Sequence, residues 1–494
     1  MSTNAPLSKS IQSRLCYGAV LLLALGVAGC SLAPTYVRPS LPVPKTQSTS
    51  VMGEGFEGAF TSGEIHLSQD EERLIAELSP EGMLRTLVQR SLRFNRDFRV
   101  TALRVEEAAA LYRSASADRM PTVAGRFEHD GQRYESAATN ERYGQDLTSI
   151  SIGISDFELD FFGRVLNLSD AARHDYLATT YGQRAARGAL IAEVARLYLL
   201  ERLAVAQQEG ARLINDAEQA LLGRVEERQV EGAASFDDVA FQYAQAQEAS
   251  LKLAAATAEH DRSFQALRLV TGYVQPLPPM RGQFVEALPA ELDTPVWLVD
   301  MPSERLLERF DVRQSEERLK AANANIGAAR AAFFPSIKLS TGMGMASNGL
   351  SSLFDGSHGA WLFSPQLSLP LFDGGRNRAN LNLAKVRQQI FVAQYEKTIQ
   401  IAFREMADAL DRMQSQRVLR ALAQSKAQRV STELEAGATD RTFLLAAQIR
   451  VAQTDIAWQQ ARQALLLNRL LLYRVLCGVD ATPSQQLSSY ESSQ

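Results

Sequence analysis

Phe157-Glu158-Leu159-Asp160-Phe161-Phe162-Gly163-Arg164 and Pro370-Leu371-Phe372-Asp373-Gly374-Gly375-Arg376 decide how this chain folds. Each stretch follows a segment that alternates apolar and polar residues. Before the first, Ile150, Ile152 and Ile154 alternate with Ser149, Ser151 and Ser155. Before the second, Trp361, Phe363, Leu367 and Leu369 alternate with Ser364, Gln366 and Ser368. A period of two means a strand with one apolar and one polar face. After each stretch the period changes to that of a helix. Ile399, Phe403, Met406, Leu410 and Met413 keep 4-3-4-3 spacing, and Leu190, Val194 and Leu197 do the same. Gly163 and Gly374-Gly375 let the backbone turn sharply from one regime to the other.

The two stretches belong to two copies of one unit, at residues 79–282 and 300–480. Asp97 and Asp311, Arg104 and Arg318, and Pro121 and Pro335 all lie 214 positions apart. Gly163-Arg164 and Gly375-Arg376 lie 212 apart, and Gly232 and Gly437 lie 205 apart. Constant spacing of this kind marks an internal repeat. The last drop of seven is one heptad, so a long helix is shortened without moving its packing stripe.

Each copy predicts the same order. A helix near 97–119 or 312–332 comes first, the second opened by a capping box of Asp311 and Gln314. Pro121 and Pro335 switch the chain to extended structure. Two strands follow, near 121–159 and 335–371. A helix of about 65 residues then runs from Gly163 and one of about 60 from Gly375, each turning at Gly232 or Gly437. Returning helices span 236–270 and 440–476. Residues 45–78 and 283–299 read as linkers and 481–494 as a tail. The class is α+β.

Composition excludes several functions. The 494 residues carry 52 basic and 56 acidic side chains, a charge of −4, which is not the balance of a nucleic-acid binder. Three cysteines and five scattered histidines give neither a disulfide framework nor a metal cluster. No phosphate loop, HExxH or GxSxG is present, so no catalytic residues and no cofactor are expected. Cys477 reads as a small buried residue.

The N-terminus reads as an export signal. Lys9 and Arg14 precede the apolar run Tyr17–Val27, which at about 11 residues is too short to span a bilayer. Val27-Ala28-Gly29-Cys30 resembles a bacterial lipobox, which implies cleavage after residue 29 and acylation of Cys30. Ser31, in place of Asp, implies sorting to the outer membrane. Residues 31–44 carry four prolines and read as an extended strap.

The physics of the predicted elements demands partners. Sixty helical residues reach roughly 90 Å, too long for a hairpin to bury itself alone. Four strands with an apolar face toward lipid must close into a barrel, for which about eight is the usual minimum. At least a dimer is required.

The two opening stretches resemble the strand-to-helix signatures of TolC-like outer-membrane efflux proteins, and Cys30–Pro44 resembles the start of the NodT lipoprotein branch. The resemblance implies a homotrimer with a twelve-stranded barrel in the outer membrane above a periplasmic helical tunnel. It also implies docking on a periplasmic adaptor and an inner-membrane pump, most often of the resistance-nodulation-division class. The exit duct of a type I secretion system and a periplasmic coiled-coil scaffold are the alternatives.

Candidate functional residues fall in two groups. At the junction stand Glu158, Asp160, Gly163, Arg164, Asp373, Gly374, Gly375 and Arg376, where the arginines can satisfy carbonyls or acids such as Asp160 and Asp373. Asp156, Glu158 and Asp160 alternate and so share one face. They read either as a lumen-facing acidic ring or as salt-bridged carboxylates. At the tips stand Gly232, Asp238, Gly437, Asp440, Arg441, Ala446 and Ile449. Relatives have a carboxylate where Ala446 stands and often an Arg where Ile449 stands. The second tip is therefore expected to close by apolar packing of Ala446 and Ile449, or through Asp440 and Arg441. Asp440 also reads as a helix N-cap.

Overall fold

The computed structural model describes residues 33–34, 36, 65–79, 81–136, 141–272, 303–349, 353, 359–435 and 441–476. In chain order the elements are α1 (Gln69–Leu78), α2 (Met83–Phe94), α3 (Arg96–Ala117), β1 (Val123–Ser136), β2 (Glu141–Leu159), α4 (Arg164–Val230) and α5 (Phe236–Thr271). A short 3-10 turn (Ser303–Glu308) leads to α6 (Phe310–Ala331), β3 (Ser336–Ser347), β4 (Gly359–Ser368), α7 (Arg376–Glu435) and α8 (Arg441–Leu476). At 67 and 60 residues, α4 and α7 reach about 100 and 90 Å. Among the described residues no helix is long and apolar enough to cross a membrane.

The four strands form one antiparallel sheet in chain order. Its register assembles one apolar face. Phe127 lies opposite Ile150, Ile150 opposite Met345, Ile152 opposite Met343, and Met343 opposite Trp361. Lower down, Leu159 meets Ile337, and Ile337 meets Leu367. From Ile150 to Leu159 the apolar band runs about 30 Å along the strand. At a tilt of about 40° that is about 23 Å of height, close to the ~25 Å band of outer-membrane barrels. Beyond Ile150 the same face turns polar. The His129 ring and the Thr148 hydroxyl share a hydrogen bond of 2.8 Å, and Arg133 donates twice to Asp146 at 2.9 Å.

The strict alternation expected through Asp156 is interrupted. A register shift lies between Ile154 and Phe157, and Asp156 takes φ 54°, the left-handed region. Its N–H is accepted by the Ser340 hydroxyl at 3.0 Å. The bulge keeps Ile154 and Phe157 on the apolar face although three positions separate them. β2 ends at Leu159, so Asp160 lies beyond the strand and the three acids are not one alternating run.

Two glycines hold the centre of the sheet. A Cβ at Gly153 would lie 2.1 Å from the Thr341 carbonyl oxygen, and one at Gly344 would lie 2.0 Å from that of Ile150. Strands β2 and β3 approach too closely there for any side chain.

The helices form a layer. Toward the sheet, α3 packs on α4, α4 on α6, and α6 on α7. Toward the far end, α5 packs on α4, and α8 packs on both α4 and α7. Gly210 admits Ile456 of α8 against α4, where an added Cβ would come within 2.8 Å. The main core joins Ile191, Val194 and Tyr198 of α4 with Leu267 of α5 and Leu466 and Leu470 of α8. A second joins Leu306 with Met406, Ala409 and Met413 of α7 and Leu465 and Leu472 of α8.

Two expectations are corrected. Residues 45–78 are not all linker, because Gln69–Leu78 is a helix with a complete capping box of Ser68 and Glu71. With α2 it supplies Leu74, Ile75, Leu78, Leu84, Leu87 and Val88 to the main core, so two helices precede the one near residue 97. Asp311 and Gln314 do not form a capping box. The helix begins two residues earlier, its N-cap Arg309 has no side-chain cap, and Asp311 is engaged by the Arg309 guanidinium at 2.7 Å. The signal segment 1–29, the strap apart from residues 33–34 and 36, the segment 283–299, the tail and Cys477 lie outside the described residues.

Candidate functional site: the strand-to-helix junction and the helical tips

Both strand-to-helix stretches solve one local problem. The first N–H groups of a helix have no partner within it. In the first copy the Asp160 carboxylate accepts the N–H of Arg164 at 2.6 Å and of Leu166 at 2.7 Å, and Gly163 takes φ 74°. In the second the Asp373 carboxylate accepts the N–H of Gly375 at 2.9 Å and of Asn377 at 2.8 Å, while Gly374 and Gly375 take φ 65° and 87°. The Asn377 N–H, then that of Gly375, hold the Asp373 carboxyl below its ordinary range. Both aspartates are helix caps.

Glu158 is also satisfied. The Arg164 guanidinium donates to both of its oxygens, at 2.8 and 2.5 Å. That bond raises the arginine's pKa. Glu158 is thus salt-bridged to Arg164, and the Asp160 carboxylate is engaged by the start of α4. Arg376 is exposed. Its N–H reaches the Asp373 carbonyl at 3.4 Å. The two copies are locked to each other here. Phe162 of the first copy stacks on Phe334 of the second with ring centroids 4.8 Å apart. Within the second copy the Asn377 amide donates to the Ala332 carbonyl, the C-cap of α6, at 3.0 Å. Phe161, Leu371 and Phe372 stay exposed just below the apolar band, where aromatic girdles sit in membrane barrels.

The first tip is a closed turn. Gly232 has φ 76°, and the N–H of Ala233 is accepted by the Arg228 carbonyl at 2.7 Å. Ser235 and Asp238 form a capping box on α5. The Ser235 N–H holds the Asp238 carboxyl below its ordinary value. Asp238 thus has its partners within its own turn. Beside it Val230 and Phe236 are 89% and 84% exposed. Sequence reasoning passed over these two, although apolar residues flanking a polar turn are a legible signal.

At the second tip Gly437 and Asp440 lie outside the described residues, and α8 begins at Arg441. Ala446 is exposed. Ile449 is buried against Ala217 and Leu221 of α4, so it packs the hairpin within one copy. The expected apolar closure by Ala446 and Ile449 together is corrected on this point. The two residues are three apart on the helix and face different surroundings. Among the described residues no group of His, Cys, Asp and Glu is arranged to hold a metal.

Comparison with known proteins accounts for this architecture. The outer membrane efflux protein family model matches residues 87–273 and 301–478, once on each copy. The cation efflux system protein CusC of Escherichia coli K12 is 36% identical over 470 residues, covering 92% of this chain and 98% of that protein. The probable outer membrane lipoprotein SilC of Salmonella typhimurium is 37% identical over 391 residues, covering 78% and 80%. A crystal structure of CusC, described in terms of transmembrane channel formation, superposes with a TM-score of 0.66 at 34% identity, covering 90% and 99%. The apolar band, the open-edged sheet and the duplicated hairpins are those of an outer-membrane efflux channel, and the chain belongs to the outer membrane efflux protein family.

Proposed function

We propose that three copies of this chain form the exit duct of a tripartite efflux system and conduct small toxic compounds passively from the periplasm to the exterior. The observation that carries the reading is an asymmetry between the two repeats. In the second copy α6 lies between α4 and α7 and buries seven residues, among them Val312, Ala321 and Ile326. Its first-copy counterpart α3 packs on α4 alone and buries none. It leaves Val100, Leu103 and Leu111 exposed along one stripe. The missing neighbour is a helix like α7, whose opposite flank exposes Val386 and Ile390. The sheet repeats the pattern, because β1 and β4 each have one unpaired edge. Joining β1 and α3 of one copy to β4 and α7 of the next satisfies both. Two copies give eight strands, whose interior side chains fill. Three give twelve and leave a conduit.

The remaining assignments follow from position. Acylated Cys30 anchors the strap at the outer membrane. The far ends of α4 and α7 lie about 90–100 Å from the strands, where a periplasmic adaptor and an inner-membrane pump of the resistance-nodulation-division class are met. Asp238 shapes the first tip as a helix cap, and Ala446 is exposed near the start of α8.

Native mass spectrometry in detergent, combined with conductance in planar bilayers, tests the duct. Trimers that conduct are expected. A well-folded monomer refutes the reading. Mass spectrometry of the mature N-terminus is expected to find a lipid on Cys30, and an unmodified terminus elsewhere refutes the anchor.

A further inference from the structure

A cavity of about 600 Å³ lies along α6 between α4 and α7, just below the sheet. Its floor is made of alanines of α6, so the groove is deep where neighbouring helices are bulky. Its lining is apolar at Leu168 of α4 and at Leu383 and Phe391 of α7, and polar at Asp175 of α4, at Arg318 and Asn325 of α6 and at Asn380 and Arg387 of α7. Arg387 lies on α7 in a stripe with Asn380, Leu383 and Phe391, at spacings of three and four, so one helical face presents both chemistries. Arg318 stands beside Asp175, whose carboxyl is pushed up by burial, with Arg318 opposing the shift.

The groove opens toward the interior of the duct. Arg164 lines it and also reaches Glu158. Glu158 lies opposite Lys338, next to Leu159 and Ile337 in register, and so sits on the polar face of the sheet. In a closed barrel with its apolar face to lipid, the polar face looks inward.

Resting on the duct reading, we infer that this groove is a transient binding site for amphipathic monoanions passing through the channel. A sulfonate or carboxylate is held between Arg387 and Arg318, with the amides of Asn325 and Asn380 as further donors. The hydrocarbon part lies on Leu383, Phe391 and the alanine floor. The enclosed volume suits a molecule of one or two fused rings. Guanidinium recognises planar oxyanions by paired hydrogen bonds, and an aromatic wall selects rings over simple inorganic anions. Three copies place three such grooves around one lumen, directly before the exit barrel.

The test is single-channel recording with naphthalene-2-sulfonate added on the barrel side. It is expected to produce brief current blocks. Arg387→Gln should shorten them about tenfold, the size expected for loss of one charge-assisted hydrogen bond. Arg387→Lys should restore part of the dwell time. Arg378→Gln, an exposed position of α7 outside the groove, should leave it unchanged. Equal blocking by naphthylmethylammonium, or unchanged dwell times in Arg387→Gln, overturns the inference while leaving the duct intact. Absence of any conductance refutes the duct instead. Binding is then read by saturation-transfer NMR on the purified protein, where the Arg387→Gln variant must lose the naphthalene signal for the inference to stand.

Discussion

Replacing Gly344 with alanine adds a single methyl group at the centre of the sheet. That carbon would lie 2.0 Å from the Ile150 carbonyl oxygen and 2.6 Å from the Ser151 Cα. Non-bonded carbon and oxygen need more than 3 Å, so β2 and β3 must separate by roughly 1 Å at this point. The neighbouring atoms are backbone, so no side-chain rotation relieves the clash. The pair is central rather than an edge, with β1 and β4 on either side. Opening it stretches ladder hydrogen bonds along β3 and strains closure of any barrel built on it. Overpacking of this kind costs about 1–3 kcal/mol in each copy. The control lies in the same sheet. A Cβ at Gly125 of β1 meets nothing within 4 Å, so Gly125→Ala removes backbone entropy of the unfolded chain without a clash. Thermal unfolding in detergent, followed by circular dichroism and by loss of the oligomer band on native gels, compares the two. Gly344→Ala should melt clearly below wild type and Gly125→Ala at or above it. If both variants melt together, the close approach of β2 and β3 does not govern this sheet. Gly153→Ala, with its contact of 2.1 Å to Thr341, should follow Gly344→Ala.

Further outcomes follow from the caps and hairpins. Asp160→Ala removes the partner of two N–H groups at the start of α4 and should lower stability by about 1–2 kcal/mol, read by chemical unfolding in detergent. Ile449→Ala should cost about 2–4 kcal/mol because its side chain is buried against α4, whereas Ala446→Ser should leave melting unchanged. Ala446→Asp probes the tip without disturbing that contact, and a rise in conductance is expected if the exposed side of α8 lines the closed aperture. The Asp238 carboxyl is held below its ordinary value of 3.8, so its cap is fully present above that pH and fades as the pH falls below it. Hydrogen exchange at the start of α5 should therefore accelerate in wild type below about pH 4, and Asp238→Asn should remove that pH dependence.

The lengths of the long helices, the turn at Gly232 and the four strands were legible because period is a local property. Alternation at Ile150–Ile154 and 4-3 spacing at Leu190–Leu197 need no knowledge of the rest of the chain. The repeat was legible because its landmarks keep their spacing. Resemblance at the two glycine stretches named the family, which similarity over most of the chain then established. Other features depended on residues far apart in sequence. Helix α1 looks like linker in composition, and only the packing of α2, α4, α5 and α8 gives its leucines somewhere to be buried. Asp156 fits an alternating pattern, yet β3 has a different residue count to match, and the mismatch is absorbed as a bulge. Glu158 and Asp160 look alike in sequence until Arg164 claims one and the start of α4 the other. Ile449 looks like a gate residue until α4 covers it. Gly344 looks like an unremarkable glycine in a strand until the Ile150 carbonyl is seen beside it. Sequence by itself determined the segments of the duplicated helix-strand-hairpin unit and that they come twice. The tertiary structure decided which polar groups are already satisfied, because a hydrogen bond is settled by a partner's position and not by its distance along the chain.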